Sequence, residues 1–210
     1  RNKPELCAPN GVNTTVNMGG VNIDGDNFPN FFGTSCAAPH AAGVAALLIE
    51  ARKKFYNQSL TPAQVKSVMQ STAIDMGTPG FDFITGSGFA DADAAMRTFA
   101  APTPDIINLE LPDSTTVPGQ VTFIVTVNGN YLTAQSQIIF RGVPIPTVVL
   151  SSNQLQATVP TFFGNPAIQI YNPPITPNAN DGGYSDSLYF FSAIKKNIVV
   201  TADNKTKKYG

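Results

Sequence analysis

Fourteen residues without a fixed charge, Cys36 to Ile49, follow directly on Gly33-Thr34-Ser35. That stretch constrains the chain more than any other. Gly33 permits a sharp turn. Thr34 or Ser35 is placed to cap a helix start with its hydroxyl. Pro39 is expected in the first turn, where a missing N–H costs nothing. A helix that is apolar all round is buried, and this one is too short to span a bilayer, which takes ~20 apolar residues. The reading is a core helix whose first turn presents Ser35. The free N–H groups and positive dipole end of such a helix stabilise a developing oxyanion, so this is a good position for a nucleophile.

Gly33-Thr34-Ser35-x-Ala37-x-Pro39-His40 resembles the nucleophile signature of the subtilases, the subtilisin-like serine peptidases. Two flanking segments resemble the same family. Lys3-Pro4-Glu5-Leu6-x-Ala8-Pro9 is similar to the strand end that precedes the serine, and Gly86-Ser87-Gly88-Phe89-Ala90-Asp91-Ala92 to the segment that closes the catalytic domain. The resemblance implies that Ser35 attacks the scissile carbonyl and that its backbone N–H donates to the oxyanion. It implies no metal or organic cofactor, and protein or peptide substrates. In that family the triad runs Asp, His, Ser along the chain, with an oxyanion Asn between His and Ser. Only 34 residues precede Ser35, so the catalytic His and Asp and the oxyanion Asn are expected upstream of Arg1. The chain reads as a severed C-terminal part of a catalytic domain, inactive alone.

His40 is the sole histidine. Five positions from Ser35 on a helix, it does not face it, because helical neighbours lie three or four apart; it is read as structural. Cys36 is read as a small buried hydrophobe rather than a reactive thiol, and Cys7 and Cys36 set no disulfide framework. Asp24 and Asp26 sit in a Gly-rich loop that invites a calcium reading, but the further carboxylates and closing Glu of such a loop are missing. A solvated turn is the better account, and no metal site is assigned.

The remainder of the first hundred residues reads as helix, loop, helix. Glu50-Ala51-Arg52-Lys53-Lys54 puts cations at the C-terminus of the serine helix. Thr61-Pro62-Ala63-Gln64 is a capping box with Pro at the first helical position. Residues 77–88 are Gly-rich loop, and Asp91 caps a last short helix through Met96. Ala100-Ala101-Pro102-Thr103-Pro104 is a linker that its prolines stiffen into an extended spacer.

Beyond the linker the apolar period changes from 3.6 to 2. Val121–Val127, Ile138-Ile139-Phe140, Leu155/Ala157/Val159, Ile168/Ile170 and Leu188–Phe191 are expected strands, with a turn at Arg141-Gly142. Short strands between turn signals predict an antiparallel β-sandwich. Val125-x-Val127-x-Gly129-x-x-Leu132, Ile139-Phe140-x-Gly142, Leu155-x-Ala157-x-Val159-Pro160 and Asn172-Pro173 resemble the IPT/TIG class of immunoglobulin-like modules. One base, Arg141, stands against five acids between 102 and 193, a balance that repels phosphate and excludes nucleic acid as partner. The module is read as a spacer or as a cell-surface or carbohydrate attachment domain. Residues 194–210 resemble the opening of an MBG-type bacterial surface module.

The expectation is therefore multidomain. A partial α/β subtilisin-like fold of helices and strand ends spans 1–101, an immunoglobulin-like β-sandwich 102–193, and the start of a third module 194–210. Charged residues are 13% of the chain, about half the usual ~25%. That suits an exported, extracellular or cell-surface protein, and no transmembrane segment is present in the sequence. The rival reading is a surface adhesin that retains an inactive peptidase domain.

Overall fold

The computed structural model describes residues 2–16 and 22–191. The expected module start at 194–210 lies outside the described residues. A short ribbon comes first, with β1 (Val12–Asn13) antiparallel to β2 (Asn30–Phe31). Three helices follow: α1 (Thr34–Tyr56), α2 (Pro62–Ser71) and α3 (Ala92–Arg97). Local chemistry sets their ends. The Thr61 hydroxyl accepts from the Gln64 N–H at 3.3 Å while the Gln64 side chain accepts from the Thr61 N–H at 2.8 Å. This is the capping box the spacing predicts. Asp91 Oδ1 accepts from the Ala94 N–H at 2.9 Å. Lys53 and Lys54 occupy the last turn of α1, and Asn57 ends it in the left-handed region at φ 52°.

The helices share a small core. Leu48 and Ala51 of α1 meet Val65 and Met69 of α2, Ala95 of α3, and Phe99 just beyond it. The expectation that α1 is buried all round is not met. Leu47 is 47% and Ile49 44% exposed. The helices packed on α1 are α2 and α3, and they cover one side of it. Apolarity of a helix reports that its faces favour burial; whether each face is covered depends on neighbours elsewhere in the chain.

The β part contains β3 (Asp105–Glu110), β4 (Phe123–Asn130), β5 (Gln137–Phe140), β6 (Val143–Ile145), β7 (Thr147–Val149), β8 (Gln154–Val159), β9 (Ala167–Asn172), β10 (Gly183–Tyr184) and β11 (Leu188–Tyr189). They form two antiparallel sheets, ordered β3-β4-β8-β7 and β10-β9-β5-β6, with β11 also paired to β9. Buried positions alternate with half-buried or exposed ones along β4, β8 and β9, as period 2 requires when one face is covered. The inward residues of both sheets, among them Val125, Val127, Ile138, Leu155 and Ile168, form one apolar cluster. Each such side chain contributes roughly 1.5–3 kcal/mol by leaving water. Phe190 stacks on Phe162 at 5.1 Å and meets Phe123 edge-on at 5.6 Å within that cluster. β6 carries Pro144, which donates nothing to a ladder, and lies accordingly at a sheet edge. β3, β6, β7 and β10 carry too little alternation to be read from sequence.

The linker is not a free spacer. Asp181 Oδ2 accepts from the Ala101 N–H at 2.7 Å, and the Gly182 N–H donates to the Ala101 carbonyl at 2.9 Å. The Thr103 hydroxyl donates to the Gly182 carbonyl at 2.9 Å. Asn172 is fully buried; it donates to the Pro102 carbonyl at 2.8 Å and to the Tyr131 carbonyl at 2.9 Å, and accepts from the Ser136 hydroxyl at 2.6 Å. Proline stiffness predicts extension, but it says nothing about a partner 70–80 residues away that fixes the segment in place.

Candidate active site

The three segments singled out by sequence come together. The Cys7 N–H donates to the Gly88 carbonyl at 2.8 Å and the Ala90 N–H to the Cys7 carbonyl at 2.9 Å, so 87–90 runs parallel to 5–7. Phe89 pairs on its other side with Ile74. This explains why position 88 is glycine. It sits at φ +112°, and a Cβ there would lie 2.1 Å from the Ile74 carbonyl oxygen. Beside this assembly a cleft of ≈ 590 Å³ separates Leu6, Cys7 and Ala8 from Thr34, Ala37 and Ala41 of α1.

Ser35 is the second residue of α1 and is exposed. The expected hydroxyl cap is absent. The N-cap is Gly33, at φ 90° and ψ −178°, and no side chain closes this helix end. The helix begins one residue earlier than a Thr34 cap requires and two earlier than a Ser35 cap, because the Gly33 carbonyl already accepts from the Cys36 N–H at 2.9 Å and the Ala37 N–H at 3.2 Å. The φ of Gly33 lies where only glycine is comfortable. Among the described residues, the N–H groups of Thr34 and Ser35 have no acceptor, and they carry the positive end of the helix dipole.

The early start also moves Pro39. It stands in the second turn, inside the helix, not in the first. There it lacks the N–H that would reach back to the Ser35 carbonyl. His40 does not approach the serine as a base; its Nδ1 lies 2.9 Å from the Cys36 carbonyl, one turn back on its own helix. Cys36 is completely buried, and Cys7 and Cys36 are both free thiols.

Two asparagines missed by sequence reasoning hold this region, Asn10 at the serine turn and Asn30 in the ribbon before it. Asn10 Oδ1 accepts from the Gly33 N–H at 2.7 Å across 23 residues. Asn30, 2% exposed, donates to the Gly11 carbonyl, to Asn13 Oδ1 and to Asp24 Oδ2, while its Oδ1 accepts from the Ile23 N–H at 2.8 Å. In sequence both asparagines look like ordinary turn punctuation. The carboxylate of Asp26 accepts from the Phe28 N–H at 2.7 Å and from the Asn13 side chain. The Asp24–Asp26 loop is thus an internally bonded turn. Among the described residues, no group of three His, Cys, Asp or Glu side chains is arranged to hold a metal.

Electrostatics around the cleft are local. Glu5 bonds Lys66 of α2 and pairs with Lys3 at 3.0 Å, and these two ammonium groups hold its carboxyl down at about 2. The pair ties the Lys3–Pro9 segment to α2. A helix N-terminus with unpaired N–H groups beside an exposed hydroxyl suits charge stabilisation on an attacked carbonyl. Among the described residues, the Ser35 hydroxyl is bonded to no His, Asp or Glu side chain.

Residues 1–88 match the subtilase family. This subtilase segment ends within the Gly86–Ala92 motif and contains Ser35 and its turn. Three curated relatives set its context. The segment region is 38% identical over 74 residues to fervidolysin of Fervidobacterium pennivorans, covering 35% of this chain and 10% of that protein. It is 38% identical over 95 residues to alkaline elastase YaB of a Bacillus strain, covering 44% and 21%. The match to an extracellular serine protease of Serratia marcescens is 33% over 105 residues, covering 49% and 9%. The chain thus spans between about a tenth and a fifth of the length of these relatives. Among the described residues, no helix is long and apolar enough to cross a membrane.

Proposed function

We propose that Ser35 is the nucleophile of a secreted subtilisin-like serine endopeptidase, and that this chain supplies the C-terminal part of its catalytic domain. The observation that carries the reading is the position of Ser35 within the segment that matches the subtilase family, exposed in the first turn of α1, where two N–H groups have no acceptor among the described residues. The serine oxygen attacks the scissile carbonyl. A histidine from the sequence before Arg1 takes the hydroxyl proton and later gives it to the leaving amine, and an aspartate from the same region orients that histidine. The Ser35 N–H donates to the tetrahedral oxyanion, where a donor contributes most because it is preorganised. Without the base the serine hydroxyl is a weak nucleophile, so the 210 residues by themselves are inactive.

Residues 102–193 form, in this proposal, an immunoglobulin-like module of the IPT/TIG class, a spacer or attachment domain on the cell surface or on carbohydrate. Two antiparallel sheets on one core support that assignment. Residues 194–210 begin a further surface module of MBG type. Extracellular location is supported by the Serratia relative, itself an extracellular serine protease.

A fluorophosphonate probe tests the catalytic reading. The isolated 210 residues remain unlabelled, the intact enzyme is labelled at Ser35, and Ser35→Ala abolishes both labelling and casein cleavage. Labelling of the isolated chain at Ser35 overturns the placement of the base upstream. Casein cleavage by the Ser35→Ala enzyme overturns the nucleophile and favours an adhesin carrying a dead peptidase domain.

A further inference from the structure

We propose that Asn10 is a positioning residue for Ser35: its side chain fixes the rotation of the first turn of α1 by holding the N–H of Gly33. The inference rests on the reading of Ser35 as nucleophile. Gly33 is the pivot of the site. Its carbonyl closes the first turn through the N–H groups of Cys36 and Ala37. Its own φ of 90° is a conformation that nothing in its side chain can restrain. A glycine in that position is free to swing, and the turn would swing with it, carrying the Ser35 hydroxyl and N–H together. The bond from Gly33 N–H to Asn10 Oδ1, 2.7 Å long, removes that freedom.

Asn10 is itself anchored. It follows directly on the Lys3–Pro9 segment, which is bonded to 87–90. The next residue, Gly11, donates its N–H to the Phe31 carbonyl at 2.9 Å. The buried side chain of Asn30 grips the Gly11 carbonyl at 3.1 Å. The serine turn is therefore referenced through one side chain to the part of the fold built from both flanking motifs. Asn30 holds the ribbon; among the described residues, Asn10 is the one whose side chain bonds the Gly33 N–H. An attacking oxygen must sit within a narrow approach to the carbonyl, and a misplacement of about 1 Å costs up to about 10²-fold in rate. A neutral hydrogen bond worth ~0.5–1.5 kcal/mol corresponds to a rate effect of roughly 3–10-fold when its loss falls on the transition state.

The test uses the intact enzyme for kinetics and the 210-residue chain for exchange. In Asn10→Ala, kcat falls roughly 3–10-fold while KM stays within about two-fold, and the melting temperature is nearly unchanged because the bond is exposed. Exchange of the Gly33 amide accelerates in the 210-residue chain. Asn10→Asp, which keeps an acceptor oxygen at the same reach, restores the slow exchange. Unchanged kcat in Asn10→Ala overturns the proposal, as does a kcat that falls only in step with loss of folded protein. Activity surviving in Ser35→Ala overturns the nucleophile reading instead, and the Gly33 amide reports on the Asn10 bond whether or not Ser35 reacts.

Discussion

Asp181 fastens the linker to the β part together with Asn172, and its replacement by Asn isolates the carboxylate's share of that fastening. Oδ2 accepts from the Ala101 N–H at 2.7 Å and the Ile175 N–H at 3.0 Å. Oδ1 accepts from the Thr176 N–H at 3.2 Å and from the Thr176 hydroxyl. An asparagine keeps one oxygen and turns an NH₂ group towards the remaining donors, so at least one backbone N–H loses its acceptor. The bonds that survive change from charge-assisted to neutral, which roughly halves them from ~1.5–3 kcal/mol each. Water reaches this half-buried carboxylate and offsets part of the loss, leaving a cost of about 2 kcal/mol. For the β part by itself, residues 102–191, that lowers the melting temperature by roughly 8–16 °C. The assay is calorimetry of the 210-residue chain at pH 7, with exchange of the Ala101 amide followed in parallel; both destabilisation and faster exchange are expected. The sign with pH follows from the carboxyl itself. Burial pushes its pKa up, but the bonds from Thr176, Ile175 and Ala101 outweigh that and hold it below the ordinary value. A lowered native pKa stabilises the fold above the unfolded value of ~3.9 and loses that contribution as pH falls through the native one. The gap between wild type and Asp181→Asn is therefore full at pH 7 and closes below about pH 4. Equal melting temperatures at pH 7, with equal protection of Ala101, would refute the reasoning.

Other outcomes follow from the same geometry. Iodoacetamide under native conditions modifies Cys7 before Cys36, because Cys36 has no exposed surface and Cys7 is partly exposed; peptide mass mapping that finds Cys36 modified first contradicts the burial. Thr61→Ala removes the cap of α2 and lowers stability by about 1 kcal/mol, read by urea denaturation, whereas Thr34→Ala leaves the start of α1 unchanged because its cap is Gly33. Protease digestion of the 210 residues spares 101–103, where the backbone is bonded to Asp181, Gly182 and Asn172; cleavage there as rapid as at exposed loops contradicts the fastening.

Residues whose partners are close in sequence were legible from the sequence. The Thr61–Gln64 box, the Asp91 cap and the cations ending α1 each depend on atoms three or four positions away, and each stands as read. The alternation in β4, β8 and β9 was equally plain, because a strand with one covered face records that face in every second residue. The position of Ser35 at a helix N-terminus was visible too.

What the sequence left open depends on contacts across many residues. Thr34 and Ser35 are both good caps by type, yet Gly33 takes the position, and the side chain that bonds its N–H, Asn10, lies 23 residues away. Position 88 is glycine because the Ile74 carbonyl presses on it, and no local pattern announces that neighbour. The linker reads as a stiff spacer from its prolines, and is fixed by Asn172 and Asp181 some 70–80 positions further on. Propensity, capping and periodicity are properties of short stretches, so the sequence by itself determined the three helices and the strands whose alternation is plain, β4, β8 and β9. Which faces are covered, and which backbone N–H meets which carboxylate or amide, is decided only when distant segments are brought within about 3 Å, the reach of a hydrogen bond.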